Sequence, residues 1–294
     1  YIILNKLHGK PNTIKVKKPI ITTIPLNRDT ASNFAQNFEK IISHRLKPVF
    51  IDFNENVKKI SLKNNIPGYY VKNTTNEIFS LSYIIEKGRF SDKELALAIS
   101  YLEYLGTDQF TASEIEKEMF KLGLTYNVSV SKKRIYVQLS GLEESFEDGI
   151  RLFEHILSSV APSKEAYNNM VSDILRERLD NKLSKWSIFN GMINYAKYGP
   201  QSPFNDLLKE KELKLINADT LINKIKTLFS YEHYVYYYGR MSIEQVQDII
   251  NTHHNAPKKR SSIIKNKIFK ELDNSKNMVY FVDYDMVQTE IRLI

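Results

Sequence analysis

The first part of the chain alternates between apolar and polar residues in several short segments, which is the period of a β-strand. This pattern predicts strands at 48–53, 68–72 and 78–86, and the last of these becomes apolar throughout, as expected inside a sheet. Two further alternating segments, 126–130 and 135–139, are separated by a short polar turn and predict a hairpin. Strands joined in this way favour a largely antiparallel sheet.

Helices are predicted where apolar residues recur every three or four positions. The residues at 91–94 read S-D-K-E, a capping box that begins a helix running to Leu105, and Gly106 ends it. A second helix begins at Thr111 and ends at Gly123. Further helices are predicted at 143–158, at 163–198 with a break allowed near Asn181, and at 205–216, 219–229 and 242–251.

These elements follow one another in the order β-β-β-α-α-β-β-α-α-α-α-β-α, which groups the helices and leaves neighbouring strands to pair. The predicted fold class is therefore α+β, in the form of an αβ-roll: a largely antiparallel sheet with helices packed on one face. The αβ-roll would occupy residues 47–253. Before it, residues 1–46 are predicted to be an extended lead-in or linker with one helix, capped by Thr30 or Ser32.

The composition changes after His253. Residues 254–267 are polar and basic and are interpreted as a linker, and alternation at 278–283 and 287–294 predicts the first strands of a following, truncated αβ-roll. Because two strands alone are only marginally stable, we expect residues 278–294 either to dock on the main sheet or to pair with another molecule.

Composition, charge and missing motifs exclude several classes of protein and site. The net charge is +8, but acidic residues are spread through the basic stretches, so the chain lacks the concentrated basic face of a nucleic-acid-binding protein. No apolar run approaches the ~20 residues of a membrane span, and the absence of cysteine excludes disulfides and thiolate metal sites. Neither a G-x-S-x-G nucleophile motif nor a glycine-rich phosphate loop occurs in the sequence.

Eight short strings carry a family resemblance through their order and spacing. They lie at 86–88, 95–107, 120–124, 139–142, 195–200, 230–233, 238–239 and 286–291. Together they resemble one repeat of the insulinase/pitrilysin zinc metallopeptidases, over about residues 47–294, and the strings YLEYLGT and YGP look most like the third domain of long bacterial members. The resemblance implies αβ-roll domains arranged in two halves, with zinc bound by the first domain and a degenerate third domain.

An active member of this family carries H-x-x-E-H on the corresponding helix, where two histidines one turn apart hold zinc and the glutamate is the general base. Aligned on the Gly-Thr that follows the motif, the three positions are Leu97, Ser100 and Tyr101, and none offers the required ligand or base. A distal glutamate ligand would fall at Glu177, as a remnant, or at Arg178 if the register slips by one. No two of the six histidines stand three to five residues apart, so no register restores the motif.

Two other groups of side chains have both a functional and a structural interpretation. The adjacent His253 and His254 would point about 100° apart on a helix, and a linker pair is favoured over a metal site. Tyr234 and the run at 236–238 could stack against a ligand. The favoured interpretation is a strand with one face in the core and its phenol oxygens at the rim.

The resemblance implies a non-catalytic domain of a zinc-dependent metalloendopeptidase, which forms a wall of the closed peptide-binding chamber. Its partners would be the N-terminal catalytic half, which alone would hold zinc, and a peptide or unfolded polypeptide. By itself the chain is predicted to be inactive and to bind no cofactor. Two alternatives stay open: a structural or binding member of the same fold without any peptidase role, and an unrelated basic α+β binding module. The compartment is left between bacterial periplasm and cytoplasm, with the periplasm slightly favoured.

Overall fold

The computed structural model describes residues 17, 19–20, 22, 30–43, 45–48, 50–262, 265–273 and 275–294. The chain forms two compact units, 1–50 and 51–294. The first unit contains helix α1 (Asn33–Glu39). Its N-cap is Ser32, one of the two predicted caps, and the Ser32 hydroxyl accepts a hydrogen bond from the Ala35 amide at 3.2 Å. Both phenylalanines of α1 are exposed.

One six-stranded sheet forms the centre of the second unit. Its strands are β1 (Lys58–Leu62), β2 (Ile66–Lys72), β3 (Ile78–Ile85), β4 (Leu124–Val130), β5 (Ile135–Leu142) and β6 (His233–Gly239). They lie in the order β1-β2-β6-β3-β5-β4, and every neighbouring pair is antiparallel except the parallel pair β2 and β6. The predicted largely antiparallel sheet is therefore confirmed.

Helices cover one face of this sheet. Along β3, Phe79, Leu81, Tyr83 and Ile85 are fully buried, because alternate side chains point into the same core. Within the described ranges, none of these helices combines the length with the apolar composition that a membrane span requires. The helices are α2 (Phe53–Asn56), α3 (Lys93–Leu102), α4 (Ala112–Lys121), α5 (Phe146–Ser159), α6 (Lys164–Asn181), α7 (Lys185–Tyr198), α8 (Glu210–Leu215), α9 (Ala218–Lys226) and α10 (Ile243–His253).

The strand predicted at 48–53 is wrong. Helix α2 begins within this segment at Phe53, with Asp52 as its N-cap, and residue 49 lies outside the described residues. The first strand of the sheet is β1, where the sequence predicts none. β1 is an edge strand in which only Leu62 is buried, so its apolar alternation is too weak to recognise.

The helix boundaries differ from the predicted ones by a few residues. Asp92 rather than Ser91 is the N-cap of α3, because a carboxylate oxygen of Asp92 accepts a hydrogen bond from the Leu95 amide at 2.9 Å. The Ser91 hydroxyl instead donates to the Gly88 carbonyl at 2.8 Å. The helix ends at Leu102, before the predicted end at 105. The break allowed near Asn181 is present, because α6 ends at that residue.

Both strands predicted within 278–294 are wrong, since this segment forms no ladder and bends at residues 285, 287 and 288. Its side chains contact the start of α7 and the turn before that helix rather than the sheet. The Tyr284 hydroxyl donates to the Leu183 carbonyl at 2.8 Å, and Lys185 pairs with Glu290 at 2.8 Å. The prediction fails because a strand needs a partner for its backbone N–H and C=O groups, and the described residues place none beside this segment.

Candidate functional site

The three positions of the zinc motif lie on α3, a helix whose side chains are mostly buried. Leu97 is buried and has no donor atom. Ser100 is exposed, and its hydroxyl donates to the Ala96 carbonyl of the preceding turn at 3.4 Å. A serine hydroxyl in this position cannot serve as the general base that a carboxylate would provide.

Tyr101, at the third motif position, is fixed in the core. Its hydroxyl accepts a hydrogen bond from the Ser163 amide at 2.9 Å and donates to the carbonyl of the same residue. Burial raises the pKa of Tyr101, so the phenolate that would bind a metal is disfavoured. The residues present at the motif positions therefore do not fit a zinc ion, which needs several ligands directed at one point.

The two candidate positions for the distal ligand, Glu177 and Arg178, differ in their surroundings on α6. Glu177 is exposed, whereas Arg178 lines a cavity of about 510 Å³ together with Leu97 and Ser100. An Arg178 guanidinium nitrogen donates to the Leu208 carbonyl at 2.8 Å. Across the described part of the chain, no group of three or more His, Cys, Asp or Glu side chains is arranged to hold a metal. The site thus presents a cation where an active enzyme needs a carboxylate.

A buried lysine anchors the start of α3. The Lys87 ammonium lies 3.3 Å from an Asp92 carboxylate oxygen and 3.9 Å from the ring centroid of Tyr231. Lys224 approaches the same carboxylate at 3.0 Å. Burial raises the pKa of Asp92, but the Leu95 amide and the two lysines outweigh it and lower the pKa below its ordinary value. Asp92 therefore caps α3 and neutralises a buried charge with one carboxylate.

The interpretation of His254 as part of a linker is wrong, because this residue is buried. It follows α10 directly, and its ring stacks on Tyr83 with centroids 4.4 Å apart. Its Nε2 lies 2.9 Å from Nε2 of His233, and its Nδ1 lies 2.6 Å from a carboxylate oxygen of Glu154. The sequence gives no local signal for this cluster, since its members come from α5, β6 and the end of α10.

The hydrogen positions in this cluster follow from its acceptors. Nδ1 of His233 lies 2.8 Å from the Tyr231 carbonyl, which can only accept, so Nδ1 carries the hydrogen and Nε2 accepts from His254. The other ring nitrogen of His254, Nδ1, faces a carboxylate oxygen of Glu154. Burial lowers the pKa of His233 to about 4, which keeps its ring neutral. All the ring nitrogens have partners, as a structural cluster requires.

Lowering the pH from 6.5 to 4 is expected to reduce the free energy of unfolding through His233. The unfolded chain takes up a proton near pH 6.5, whereas the folded chain does so only near pH 4, so stability present above 6.5 is lost as the pH falls. The shift corresponds to roughly 3 kcal/mol. Urea unfolding of the wild type and of His233→Gln at both pH values measures it. The variant should lose less stability on acidification, and equal losses would refute the assignment.

The tyrosine run lies on β6 and alternates between the two faces of the sheet. Tyr237 points into the core and donates to the Glu143 carboxylate, so the interpretation as a strand with one face in the core is confirmed. The other tyrosines are half-buried on the face opposite the helices. We call this surface the open face and define it by Tyr69, Tyr136, Tyr234, Tyr236 and Tyr238, which strand pairing places on one side.

Comparison with known proteins shows similarity of fold. No protein-family model and no curated protein match the chain. It is similar to the peptidase M16 inactive domain from Pseudomonas fluorescens, at 14% identity and a TM-score of 0.62 over 73% of this chain and 54% of that one. It is similar to the periplasmic protease PqqL from Escherichia coli, at 14% identity and a TM-score of 0.63 over 81% of this chain and 29% of that one.

A third similar structure is the ferredoxin protease FusC in complex with Arabidopsis ferredoxin, at 14% identity and a TM-score of 0.63 over 86% of this chain and 28% of that one. The chain thus spans about half of the first structure and under a third of the other two. It has the fold of the M16 peptidase domains, which confirms the predicted insulinase-type αβ-roll.

Proposed function

We propose that the chain is a non-catalytic domain of a zinc-dependent metalloendopeptidase and forms one wall of a closed peptide-binding chamber. The observation that carries the proposal is the chemistry of α3, where a fold of the M16 type offers Leu97, Ser100 and the buried Tyr101 at the zinc position. Zinc and the general base then come from the N-terminal catalytic half, and hydrolysis takes place there.

The open face supports the role of a chamber wall. An antiparallel sheet can pack one face on a core and leave the other accessible, and here the accessible side carries five tyrosines. Between them lie small polar side chains such as Ser80 and Ser140. Tyrosine gives a large, stiff contact area and small polar residues give adaptable hydrogen bonds, a combination that suits peptides of varied sequence.

Two structural neighbours support a polypeptide as the bound partner. FusC is a ferredoxin protease solved with ferredoxin, and PqqL is a periplasmic protease. By this likeness we assign to the present chain a peptide or unfolded polypeptide as substrate of the assembled enzyme. The likeness to PqqL also favours the bacterial periplasm over the cytoplasm.

Reconstitution of peptide cleavage tests the proposal. The purified chain is mixed with the half that carries H-x-x-E-H, and a quenched fluorescent peptide is followed with and without a chelator. We expect no cleavage by the chain alone and chelator-sensitive cleavage by the mixture. Cleavage by the catalytic half that is equally fast without this chain would contradict its role in the chamber.

Matched tyrosine variants test the open face in the same assay. Tyr236→Ala removes a ring from the open face, and we expect KM of the mixture to rise about 10-fold, since a buried tyrosine contact is often worth more than 1 kcal/mol in binding. Tyr104→Ala is the control, because this tyrosine is exposed beyond the end of α3. An equal effect of both variants would refute the open face as the peptide contact.

A further inference from the structure

The cavity beside the motif positions is built by segments that hold one another in place. Its volume of about 510 Å³ falls within the range of ligand pockets. On one rim, the Arg89 amide donates to the Ser131 carbonyl at 3.0 Å and the Phe90 amide donates to the Lys132 carbonyl at 2.9 Å. Gly88 allows this close approach, since a Cβ atom there would lie 2.5 Å from the Lys133 carbonyl carbon.

Four of the five charged side chains that line the cavity are basic. Arg89, Lys93, Lys132 and Arg178 line the cavity, and Asp206 is its only acidic lining residue in the described part of the chain. Asp206 is already engaged, because Lys93 lies 2.9 Å and Lys267 3.1 Å from its carboxylate. Burial raises the pKa of Asp206, but its hydrogen bonds with both lysines lower it below its ordinary value. Among the residues that the structure describes, no carboxylate forms an ion pair with the other three cations, Arg89, Lys132 and Arg178.

The two arginines have unused capacity to donate. Nε of Arg89 is buried and has no hydrogen-bond acceptor among the described residues. Within the described part of the chain, the Arg178 side chain makes one hydrogen bond, to the Leu208 carbonyl, which orients its guanidinium and uses one of five N–H groups. A buried donor without a partner costs free energy that a bound anion would restore, and guanidinium groups match carboxylates in particular.

The remaining walls are apolar. Leu97 and Ala96 come from α3 and Ile174 comes from α6, and Val130, Leu207, Leu208 and Leu213 complete the surface. A ligand that satisfies both parts of the cavity carries an apolar group together with an anionic one. The last residue of a peptide has this combination when its side chain is apolar.

We propose that this cavity binds the C-terminal residue of a peptide, with its apolar side chain against the leucine-rich walls and its carboxylate facing Arg89, Lys132 and Arg178. The proposal rests on the proposed function only in taking a peptide as the carrier of the carboxylate. The position where active members bind zinc thus becomes a site that holds the end of a chain.

Binding of matched peptides to the full chain tests this site. The probe is a short labelled peptide that ends in leucine, with either a free carboxylate or a terminal amide, and fluorescence anisotropy gives Kd for each. We expect the free acid to bind at least about 10-fold more tightly than the amide, as a charge-assisted hydrogen bond predicts. Arg178→Gln and Arg89→Gln should each remove this preference.

Arg176→Gln is the matched control, because Arg176 lies on α6 two residues away and is exposed. It should leave both Kd values unchanged, and thermal melts check that every variant is folded. Equal binding of acid and amide, or no binding of either, would overturn the site while cleavage by the reconstituted enzyme still supports the proposed function. Inorganic phosphate serves as a competitor, and displacement at phosphate concentrations below the peptide Kd would overturn the peptide assignment in favour of a phosphate site.

Discussion

Replacing Asp92 with alanine is expected to lower the free energy of unfolding by about 3 to 5 kcal/mol, as for other buried ion pairs that lose one partner. The variant leaves the buried Lys87 ammonium with the Tyr231 ring as its remaining close partner among those described here. It also removes the N-cap of α3, which costs about 1 kcal/mol in typical helices. Since whole domains are stable by only about 5 to 15 kcal/mol, the loss is large.

Urea unfolding of Asp92→Ala and Thr111→Ala separates these two contributions. Thr111 caps α4 through a capping box but holds no buried charge, so its replacement should cost about 1 kcal/mol. The double variant Lys87→Met with Asp92→Ala should recover most of the loss, because no uncompensated charge is then buried. If Asp92→Ala costs no more than Thr111→Ala, the role assigned to Lys87 is refuted.

Replacing Gly141 with alanine is expected to lower the free energy of unfolding by roughly 3 to 5 kcal/mol, from backbone strain and overpacking together. Gly141 has φ of +150°, a conformation that side chains rarely adopt. A Cβ atom would lie 2.9 Å from Cα of Leu124 on the paired strand, and closer still to the Gly123 carbonyl oxygen. Because both neighbours include backbone atoms, relief requires the edge of the sheet to move.

Gly191→Ala is the control for this prediction. Gly191 lies inside α7, and the nearest atom to its Cβ position belongs to the Phe204 side chain, at 3.3 Å. Alanine favours a helix over glycine by up to about 1 kcal/mol, so this variant should be neutral or more stable. Thermal melts compare the melting temperature of each variant with that of the wild type. A Gly141→Ala protein as stable as the wild type would contradict the described geometry.

The fold is predictable from the sequence where local and tertiary signals agree. Gly123, the predicted end of α4, has φ of +64°, and β3 alternates as the buried strand that its composition indicates. The edge strand β1 escaped prediction because its side chains are mostly exposed. The strands predicted at 278–283 and 287–294 fail for the opposite reason, since apolar alternation without a partner strand does not make a ladder.

The candidate site is predictable only in part. The motif positions Leu97, Ser100 and Tyr101 follow from a resemblance and from local spacing. The cationic cavity does not, because its residues come from α3 and the loop before it, from α6, from the β4–β5 hairpin, and from α8 and the loop before it. The same holds for the buried contact between His233 and His254, which the sequence separates by a whole helix and its flanking loop.

The zinc content of the purified chain tests whether α3 can take part in a metal site. Atomic absorption on the metal-supplemented and dialysed protein gives the number of zinc ions per chain. Cleavage of a quenched fluorescent peptide with and without a chelator shows whether any bound zinc supports hydrolysis. We expect far less than one zinc per chain and no chelator-sensitive cleavage, because neither Leu97 nor the buried Tyr101 can hold the ion. One zinc per chain with chelator-sensitive cleavage would contradict this expectation.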